Sequence, residues 1–553
     1  MRKLLTILTG TFITGTLMAG GLVTNTNQSA AWVRLPVRDA SIDVDAVYYN
    51  PAGVMKLDNG LHVSLSNQTI FQTREIKSNY PYLNSGDYKG SVSAPVFPSI
   101  YAVYKLNKFA ISAGFMPIGG GGGATFNKGL PSFEYGVSDL VPGLTATGIP
   151  TTAYSVEMYF KGTSVYYGFQ ANVSYKINDM LSVAIGGRLV TVKNNYTGYL
   201  NNIMINPNYP AFGSSYDGTT MVSAPAFFTA GATTLNTLAA GATSFASGLQ
   251  PIITGGGGSV LLSDGTEVGL TSGQITQIQQ ILGAAGLTPA QIGASTIASA
   301  QGTLTAAAPG FTSQAGAMSA YAAETANKSV DAEQTGSGIS PILSADISPT
   351  KNLNIGIKYE FATKISVTNK TSQDIVIGSV DGTPVTMFPD GAKVRNDMPA
   401  ELAVGVDYTF MKLKICLGVN YFFDKSANYG HSINGVSVSN SDIISQNGYV
   451  LEGGLEFNLT KRFALSAGYN YANKGVNSEY QSDLTYSNAT STYAFGGVYS
   501  IGNRIKINAG VSYTSYVNDN ITVSHYLGET DMMPEETLGK STFLFGVGLD
   551  IKL

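Results

Sequence analysis

From about residue 60 to its last residue the chain alternates apolar and polar side chains at every second position. Phe543, Phe545, Val547, Leu549, Ile551 and Leu553 interleave with Leu544, Gly546, Gly548, Asp550 and Lys552. Ile505, Ile507, Ala509, Val511 and Tyr513 interleave with Lys506, Asn508, Gly510, Ser512 and Thr514. A strand with one apolar face and one polar, glycine-rich face suits a wall between lipid and water. Fourteen such segments occur, near 59–75, 95–106, 109–118, 162–177, 180–199, 338–348, 353–369, 400–410, 413–426, 449–459, 463–475, 491–501, 505–522 and 541–553. Every second connection is short turn chemistry, such as Asn107-Lys108, Asn178-Asp179, Met411-Lys412 and Gly502-Asn503-Arg504, and the others are long. The pattern predicts an all-β fold: a 14-stranded antiparallel transmembrane β-barrel, closed so that lipid meets no sheet edge, with periplasmic turns and outer loops.

Composition narrows this further. Charged residues are 12% of the 553, about half the share of ordinary globular proteins. After the N-terminus no run approaches the ~20 apolar residues of a membrane helix. Met1-Arg2-Lys3 followed by Leu4 to Met18 reads as a secretory signal peptide, 1–19, with cleavage near Ala19 and Ala30 or Ala31 as the alternative. A net charge of −4 without a basic patch speaks against nucleic acid. The one cysteine, Cys416, rules out an intramolecular disulfide and lies on the inward phase of its strand as a small filler. His62, His431 and His525 lie on separate segments, and no H-E-x-x-H or G-x-S-x-G occurs. The glycine runs at 119–123 and 255–258 lack the Lys-Ser/Thr of a phosphate loop. Neither an enzyme nor a cofactor is implied.

Two regions depart from strand periodicity. Residues 20–57, between signal peptide and barrel (58–553), carry turn signals at Asn50-Pro51 and Ala52-Gly53 in place of alternation. A fourteen-stranded lumen leaks unless filled, so this segment is expected to be an N-terminal plug. Residues 200–337 form a long outer loop rich in Ala, Gly, Thr and Ser. There Ile275, Ile278, Ile281 and Leu282 recur at helical spacing after Thr271-Ser272, Thr288-Pro289 suits a helix start, and Ala306 to Ala308 support more helix. The loop either covers the barrel mouth or decorates the surface.

The stretch Asp45-Ala46-Val47-Tyr48-Tyr49-Asn50-Pro51-Ala52-Gly53 resembles the plug signature of the outer-membrane long-chain fatty-acid transporter (FadL-like) family. Asp397-Met398-Pro399-Ala400-Glu401-Leu402-Ala403-Val404-Gly405 is similar to that family's Leu-Pro-Ala strand opening, and the order of signal peptide, plug, strands and mid-chain loop also matches. The resemblance implies passive uptake of hydrophobic compounds, long-chain fatty acids foremost. The ligand is captured at apolar outer loops, the plug moves, and exit is sideways into the membrane through a gap where the third strand kinks. Asn50, Pro51, Ala52 and Gly53 then belong to the gate.

The third strand ends in Met116-Pro117-Ile118 and the run Gly119, Gly120, Gly121, Gly122, Gly123. Pro gives a sheet no donor and glycine marks bends, so this stretch is either the lateral gap or a flexible start to the next loop. Arg188, Lys358, Glu360, Glu401, Asp407, Glu452 and Glu456 face inward by strand phase. With Arg34, Arg38, Asp39, Asp43 and Asp45 of the plug they could clasp plug to wall or simply line a solvated lumen. Arg34 and Arg38, with Trp32 and Leu35 as apolar neighbours, are candidates for a ligand's carboxylate. Outward Tyr and Phe, among them Tyr408, Phe410, Tyr513 and Phe543, suit interfacial girdles. The expected partners are a hydrophobic small molecule, outer-membrane lipid and the barrel-assembly machinery, with the protein a monomer in the outer membrane of a Gram-negative bacterium. The alternatives are a plugged, porin-like channel for other small solutes and an adhesin using the 200–337 loop.

Overall fold

A computed structural model describes residues 24–380, 383–433 and 436–553. The expected signal peptide lies outside the described residues, as do Gly20 to Val23 of the plug segment.

Fourteen antiparallel strands close a barrel: β1 (Gly60–Ser78), β2 (Asp87–Leu106), β3 (Phe109–Phe126), β4 (Tyr154–Lys176), β5 (Leu181–Ile205), β6 (Lys328–Thr350), β7 (Leu353–Glu360), β8 (Glu401–Phe410), β9 (Leu413–Phe422), β10 (Tyr449–Asn458), β11 (Phe463–Asn473), β12 (Thr490–Ile501), β13 (Ile505–Tyr516) and β14 (Glu535–Lys552). Each pairs with its sequence neighbours, and β1 pairs with β14 from His62–Lys552 to Ser78–Glu536, which shuts the ring. All fourteen periodic segments are strands. Two short turns hold a non-glycine residue at positive φ, Asn107 (55°) and Met411 (54°), which lets two residues reverse the chain in step with strand twist. No described helix is long and apolar enough to cross a membrane. Tyr408, Phe410, Tyr513 and Phe543 are exposed on the outer face.

Three boundaries differ from expectation. β4, β5 and β6 run on well past the lipid-facing alternation, so the long outer connection spans 206–327 and not 200–337. The segment 353–369 is broken at 361–365: β7 pairs with the lower part of β6, and Ser366–Gln373 returns to pair with its upper part. β2 begins at Asp87, eight residues before its alternation becomes regular.

The long connection is helical. α5 (Ala224–Thr254) packs along α8 (Ile297–Glu324), with α6 (Ser272–Ala284) and α7 (Pro289–Gly293) between. Thr271 and Thr288 cap α6 and α7 through reciprocal bonds with Gln274 and Gln291, as the sequence suggests. This arm joins the barrel at its base, where Phe227 and Phe228 stack on Phe212, Tyr216 and Tyr321. The mouth itself is crossed by α3 (Pro131–Ser138) and α4 (Leu140–Ala146). Glu134 of α3 accepts from Tyr88 of β2 and Tyr154 of β4 (both 2.5 Å), while Tyr135 donates to Glu536 of β14 (2.5 Å). One short helix therefore ties β14, β2 and β4 together across the seam where the ring closes.

Inside, residues 24–57 fold against the wall as α1 (Ala30–Arg34), α2 (Ala46–Tyr49) and a 3-10 turn, Pro51–Lys56. Ser29 caps α1, its hydroxyl accepting from Trp32 N. The inward face is bare where the plug lies: a Cβ at Gly405 would sit 2.5 Å from Ala40 N, at Gly454 2.4 Å from Leu35, and at Gly510 2.7 Å from the Arg34 backbone. Glycine is needed at these positions for close approach.

Gly510→Val is therefore expected to push α1 from the wall while leaving the strand ladder intact. Trp32, the one tryptophan and buried, is the reporter. Its emission should shift to the red while the protein keeps the heat-modifiable gel migration of a closed barrel. An unchanged spectrum would refute the placement of α1.

Candidate functional site

The wall is interrupted between β2 and β3. The two strands pair from Leu106–Phe109 to Ile100–Phe115 and again at Ser91–Thr125 and Gly90–Phe126. Among the described residues they pair nowhere between. The sequence explains the break on both edges. β2 carries Pro95 and Pro98, and β3 carries Pro117; none can donate to a ladder. β3 also slips against β4 at Pro117–Gly119 and Gly119–Gly122. At the centre Gly120 has φ +96°, and a Cβ there would lie 2.1 Å from Ser164 O. The bend thus requires glycine at 120. On its far side β2 bulges against β1 at Gln68–Ile70. Side chains repair that bulge: Asn67 Nδ2 and Thr69 Oγ1 donate to Pro95 O (3.1 and 3.0 Å), and Phe97 N donates to Asn67 Oδ1 (3.0 Å).

The plug sits directly behind the break. Thr24 bridges Gly119, Asn25 N donates to Ile118 O (2.9 Å), and Gln28 Nε2 donates to Pro117 O (3.0 Å). On the β1 side Gln68 Nε2 donates to Asn27 O (2.6 Å). Residues 24–28 thus stand in for the missing stretch of β2. They are tied to the rest of the plug by Tyr49, whose hydroxyl donates to Thr26 O (2.6 Å) and accepts from Gln28 N (2.7 Å).

Asn50-Pro51-Ala52-Gly53 anchors the other end. Asn50 Nδ2 donates to Asp346 (2.7 Å) and Asn50 Oδ1 accepts from Ser344 Oγ (3.0 Å), both on β6. Pro51 opens the 3-10 turn and its carbonyl accepts from Ser174 Oγ of β4 (2.8 Å). Ala52 N donates to Ser344 Oγ. Gly53 packs so closely that a Cβ would lie 2.3 Å from Ser41 O. Asp397 to Gly405, the second stretch of resemblance, opens β8 and places Glu401 inward.

Charges in the lumen are buried in pairs. Arg188–Glu360 (2.6 Å) reaches across β6 from β5 to β7, Lys358–Glu401 (3.1 Å) joins the adjoining β7 and β8, and both cations face the ring of Tyr48 from the plug (4.8 and 4.6 Å to its centre). Arg34 bonds Glu456, Ser466 and Asn508 of β10, β11 and β13. Arg38 is bidentate to Asp45 (2.8 and 3.0 Å) and also bonds Asp43 and Ser41. Both guanidiniums are thus held by the protein's own carboxylates: Arg34 fixes plug to wall and Arg38 fixes the plug to itself. Trp32 and Leu35 are buried, Leu35 against Val37 and Cys416. Asp43 is drawn well below the usual carboxylate range, Lys506 being the main cause with Arg38 assisting.

Asp39 behaves oppositely. Burial pushes its carboxyl up to about 8; Lys358 opposes this and Glu401 adds to it. It accepts from Asn420 Nδ2 (3.0 Å) and lies beside Glu452, whose Oε2 has no hydrogen-bond partner among the described residues.

Above the plug, Leu130, Val137, Leu140 and Leu144 of the α3–α4 segment pack with Phe126, Phe160 and Tyr196 of the strands in an apolar cluster at the mouth. A small cleft beside it is lined by Phe133, Tyr199, Leu200, Val330, Ile375 and Met387. The outward apolar periodicity does not find these residues, because here the apolar phase of the strands is turned inward and the rest lie in helices and loops. Pro95 and Pro98 were findable as prolines inside a strand.

No protein-family profile matches the chain, and no curated protein matches it in sequence. Solved structures do match. A Pseudomonas aeruginosa FadL homologue aligns with 97% of this chain and 99% of its own, at 12% identity and a TM-score of 0.54. The Pseudomonas putida toluene transporter TodX aligns with 97% of this chain and 100% of its own (13%, TM-score 0.49), and the Ralstonia pickettii toluene transporter TbuX with 97% and 99% (14%, TM-score 0.46). The fold is FadL-like.

The raised Asp39 carboxyl predicts a pH dependence. A carboxyl near 3.9 when unfolded and near 8 when folded costs stability as pH rises between these values. Asp39→Asn should therefore match the wild type at pH 4 and exceed its melting temperature by about 2 °C or more at pH 8.5. Thermal melts of the purified protein at the two pH values check this; an equal difference at both would refute it.

Proposed function

We propose that this protein is an outer-membrane channel of a Gram-negative bacterium for passive uptake of hydrophobic compounds, with long-chain fatty acids as its substrate. The observation that carries the reading is the break between β2 and β3 with the plug seated behind it. A hole at membrane depth opens onto hydrocarbon. A polar solute gains nothing by leaving there, whereas an apolar one avoids water altogether. Capture takes place at the apolar cluster and cleft of the mouth, beneath α3 and α4. The ligand then moves down the lumen, and withdrawal of residues 24–28 from Pro117, Ile118 and Gly119 opens the side exit. Asn50 to Gly53 form the fixed end about which the plug shifts, held to β4 and β6. A general porin would need a clear axial path, and α1, α2 and the 3-10 turn occupy it. The FadL-like fold agrees with this assignment. No bond-making chemistry is part of it.

The test seals the break while sparing the one obligate glycine. Pro95 and Pro98 are replaced by Thr, and Gly119, Gly121, Gly122 and Gly123 by alternating Val and Thr, with Gly120 kept. Cells with the wild type should take up radiolabelled oleate. Cells with the sealed variant, at equal amount and heat-modifiability in the outer membrane, should fall to the level of cells lacking the protein. Equal uptake by both would refute sideways exit. If neither admits oleate or toluene, the uptake reading fails and the adhesin alternative, built on the helical arm, replaces it.

A further inference from the structure

The short turns all lie at one end of the barrel, and that end is positively charged. Lys108 stands between β2 and β3, Lys351 between β6 and β7, Lys412 between β8 and β9, Lys461 and Arg462 between β10 and β11, and Arg504 between β12 and β13. All six are exposed, and among the described residues none of their side chains makes an ion pair or a hydrogen bond. The exposed acidic side chains described at this end are Asp179, held by Lys176 (2.7 Å), and Asp58, held by Lys552 (2.6 Å). Six cations are thus left unopposed in a chain whose total charge is −4.

The turns hold their shape without these cations. Asn178 Oδ1 accepts from Met180 N and Leu181 N (both 2.9 Å), Thr350 Oγ1 from Asn352 N and Leu353 N (3.3 and 3.2 Å), and Thr460 Oγ1 from Arg462 N and Phe463 N (3.1 and 3.0 Å). Asp serves a turn as well as Asn does, yet Asn107, Asn178, Asn352 and Asn503 leave the rim without added negative charge. Successive turns are two strand spacings apart, roughly 10 Å across the strands, which is about one Debye length at 0.1 M salt. Their fields therefore merge into one positive rim. Next to the cations the surface is apolar: Phe109, Phe410, Leu459 and Ile501 are exposed, and Met411, beside Lys412 at the tip of its turn, is 82% exposed. A soluble acidic partner would answer the cations and leave these apolar side chains in water. A headgroup layer answers both, with phosphate at the cations and acyl carbon at the apolar side chains.

We infer that the six turn cations form a binding rim for the phosphates of anionic phospholipids. Under the uptake reading the short turns face the periplasm, so the lipids are those of the inner leaflet. The inference takes only this orientation from that reading, and nothing of its substrate or exit route. Lys and Arg hold a phosphodiester through charge-assisted hydrogen bonds. A zwitterionic lipid offers the same phosphate with its charge cancelled by its own ammonium, so the rim selects by net charge. It also sets the depth of the barrel, because sinking further would draw the cations into hydrocarbon.

The full-length protein in dodecyl maltoside is given equal amounts of dioleoylphosphatidylglycerol and dioleoylphosphatidylethanolamine, which differ only in the headgroup. Bound lipids are counted by native mass spectrometry. Expected is a preference of about fivefold for the anionic lipid, falling as salt is raised. The variant with all six cations replaced by Gln should lose it while keeping its heat-modifiable migration. A half set, Lys108→Gln, Lys412→Gln and Arg504→Gln, should lose part of it, and Arg at all six positions should retain it. Gln in place of Lys128, Lys161, Lys364, Lys370 and Lys393, exposed at the opposite end, should leave it unchanged. No preference in the wild type, undiminished preference in the six-Gln variant, or its loss in the opposite-end variant overturns the rim. Displacement of the lipid by inorganic phosphate at constant ionic strength assigns the cations to free phosphate and overturns it too. The leaflet is tested with Lys412→Cys, the native Cys416 being buried. A maleimide too large for porins should label it only after the outer membrane is opened, and labelling of intact cells overturns the inner-leaflet assignment. Neither measurement reads uptake, so failure of the rim leaves the channel standing, and failure of oleate and toluene uptake leaves the rim.

Discussion

A backbone at membrane depth has no water to turn to, and under the proposed reading the arrangement of the candidate site follows from that. Each unpaired amide or carbonyl in hydrocarbon costs on the order of a few kcal/mol. The prolines of β2 and β3 forbid some of the bonds that would close their seam, so the free edge of β3 must find partners elsewhere. It finds them in Thr24, Asn25 and Gln28, which reach Pro117, Ile118 and Gly119 from inside. The plug is thereby a conditional piece of the wall. Under the uptake reading proposed above, withdrawing it would expose carbonyls that only water or a ligand's own polar group can satisfy, a cost that would keep the seam closed at rest.

The buried charges divide the same plug into parts with different duties. Arg38 bonds Asp43 and Asp45 within the plug and preserves its shape, while Asp43 also reaches Lys506 of β13 (2.8 Å). Arg34 with Glu456 and Asn50 with Asp346 cross from plug to wall and fix its position. Separating a buried pair strands two charges and costs about 3–5 kcal/mol. A rigid withdrawal of the whole plug would break several such contacts at once. A hinge confined to residues 24–28, whose contacts to β3 are uncharged hydrogen bonds, breaks none. Under the proposed uptake reading, movement of the first few plug residues therefore costs less than expulsion of the domain.

The fourteen strands were legible because a wall between lipid and lumen must alternate, and Phe543 to Leu553 or Ile505 to Tyr513 do so almost without exception. Inward charges were legible for the same reason: Arg188, Lys358 and Glu401 are all buried where strand phase puts them. Outward alternation is lost where its cause is lost. In Tyr154 to Lys161 and in Val330 to Glu333 the apolar phase is turned inward, onto the cluster at the mouth, so the outward apolar pattern stops there although the strands go on. The 31 residues of α5 were hidden by Ala and Thr, which give a weak apolar face, and by Pro251 inside the helix, as Pro309 hides part of α8. Lys108, Lys412 and Arg504 look unremarkable in their own turns, and the sequence shows no basic run. Only closure of the ring from β1 back to β14 gathers them on one rim, and no periodicity within one segment encodes it.

The bare inner surface under the plug has a bearing on how the molecule is made. Gly405, Gly454 and Gly510 leave a hollow shaped to residues 34 to 40, and the fit is too close for any side chain between. Wall and plug stand as mould and casting. A casting with shoulders on both sides is not readily dropped into a finished mould. The plug precedes every barrel strand along the chain, while β13 and β14, which carry one flank of the hollow, follow all the others. The order of synthesis thus matches the order of building that the shape asks for: the contents are laid down before the lid strand is fastened to β1.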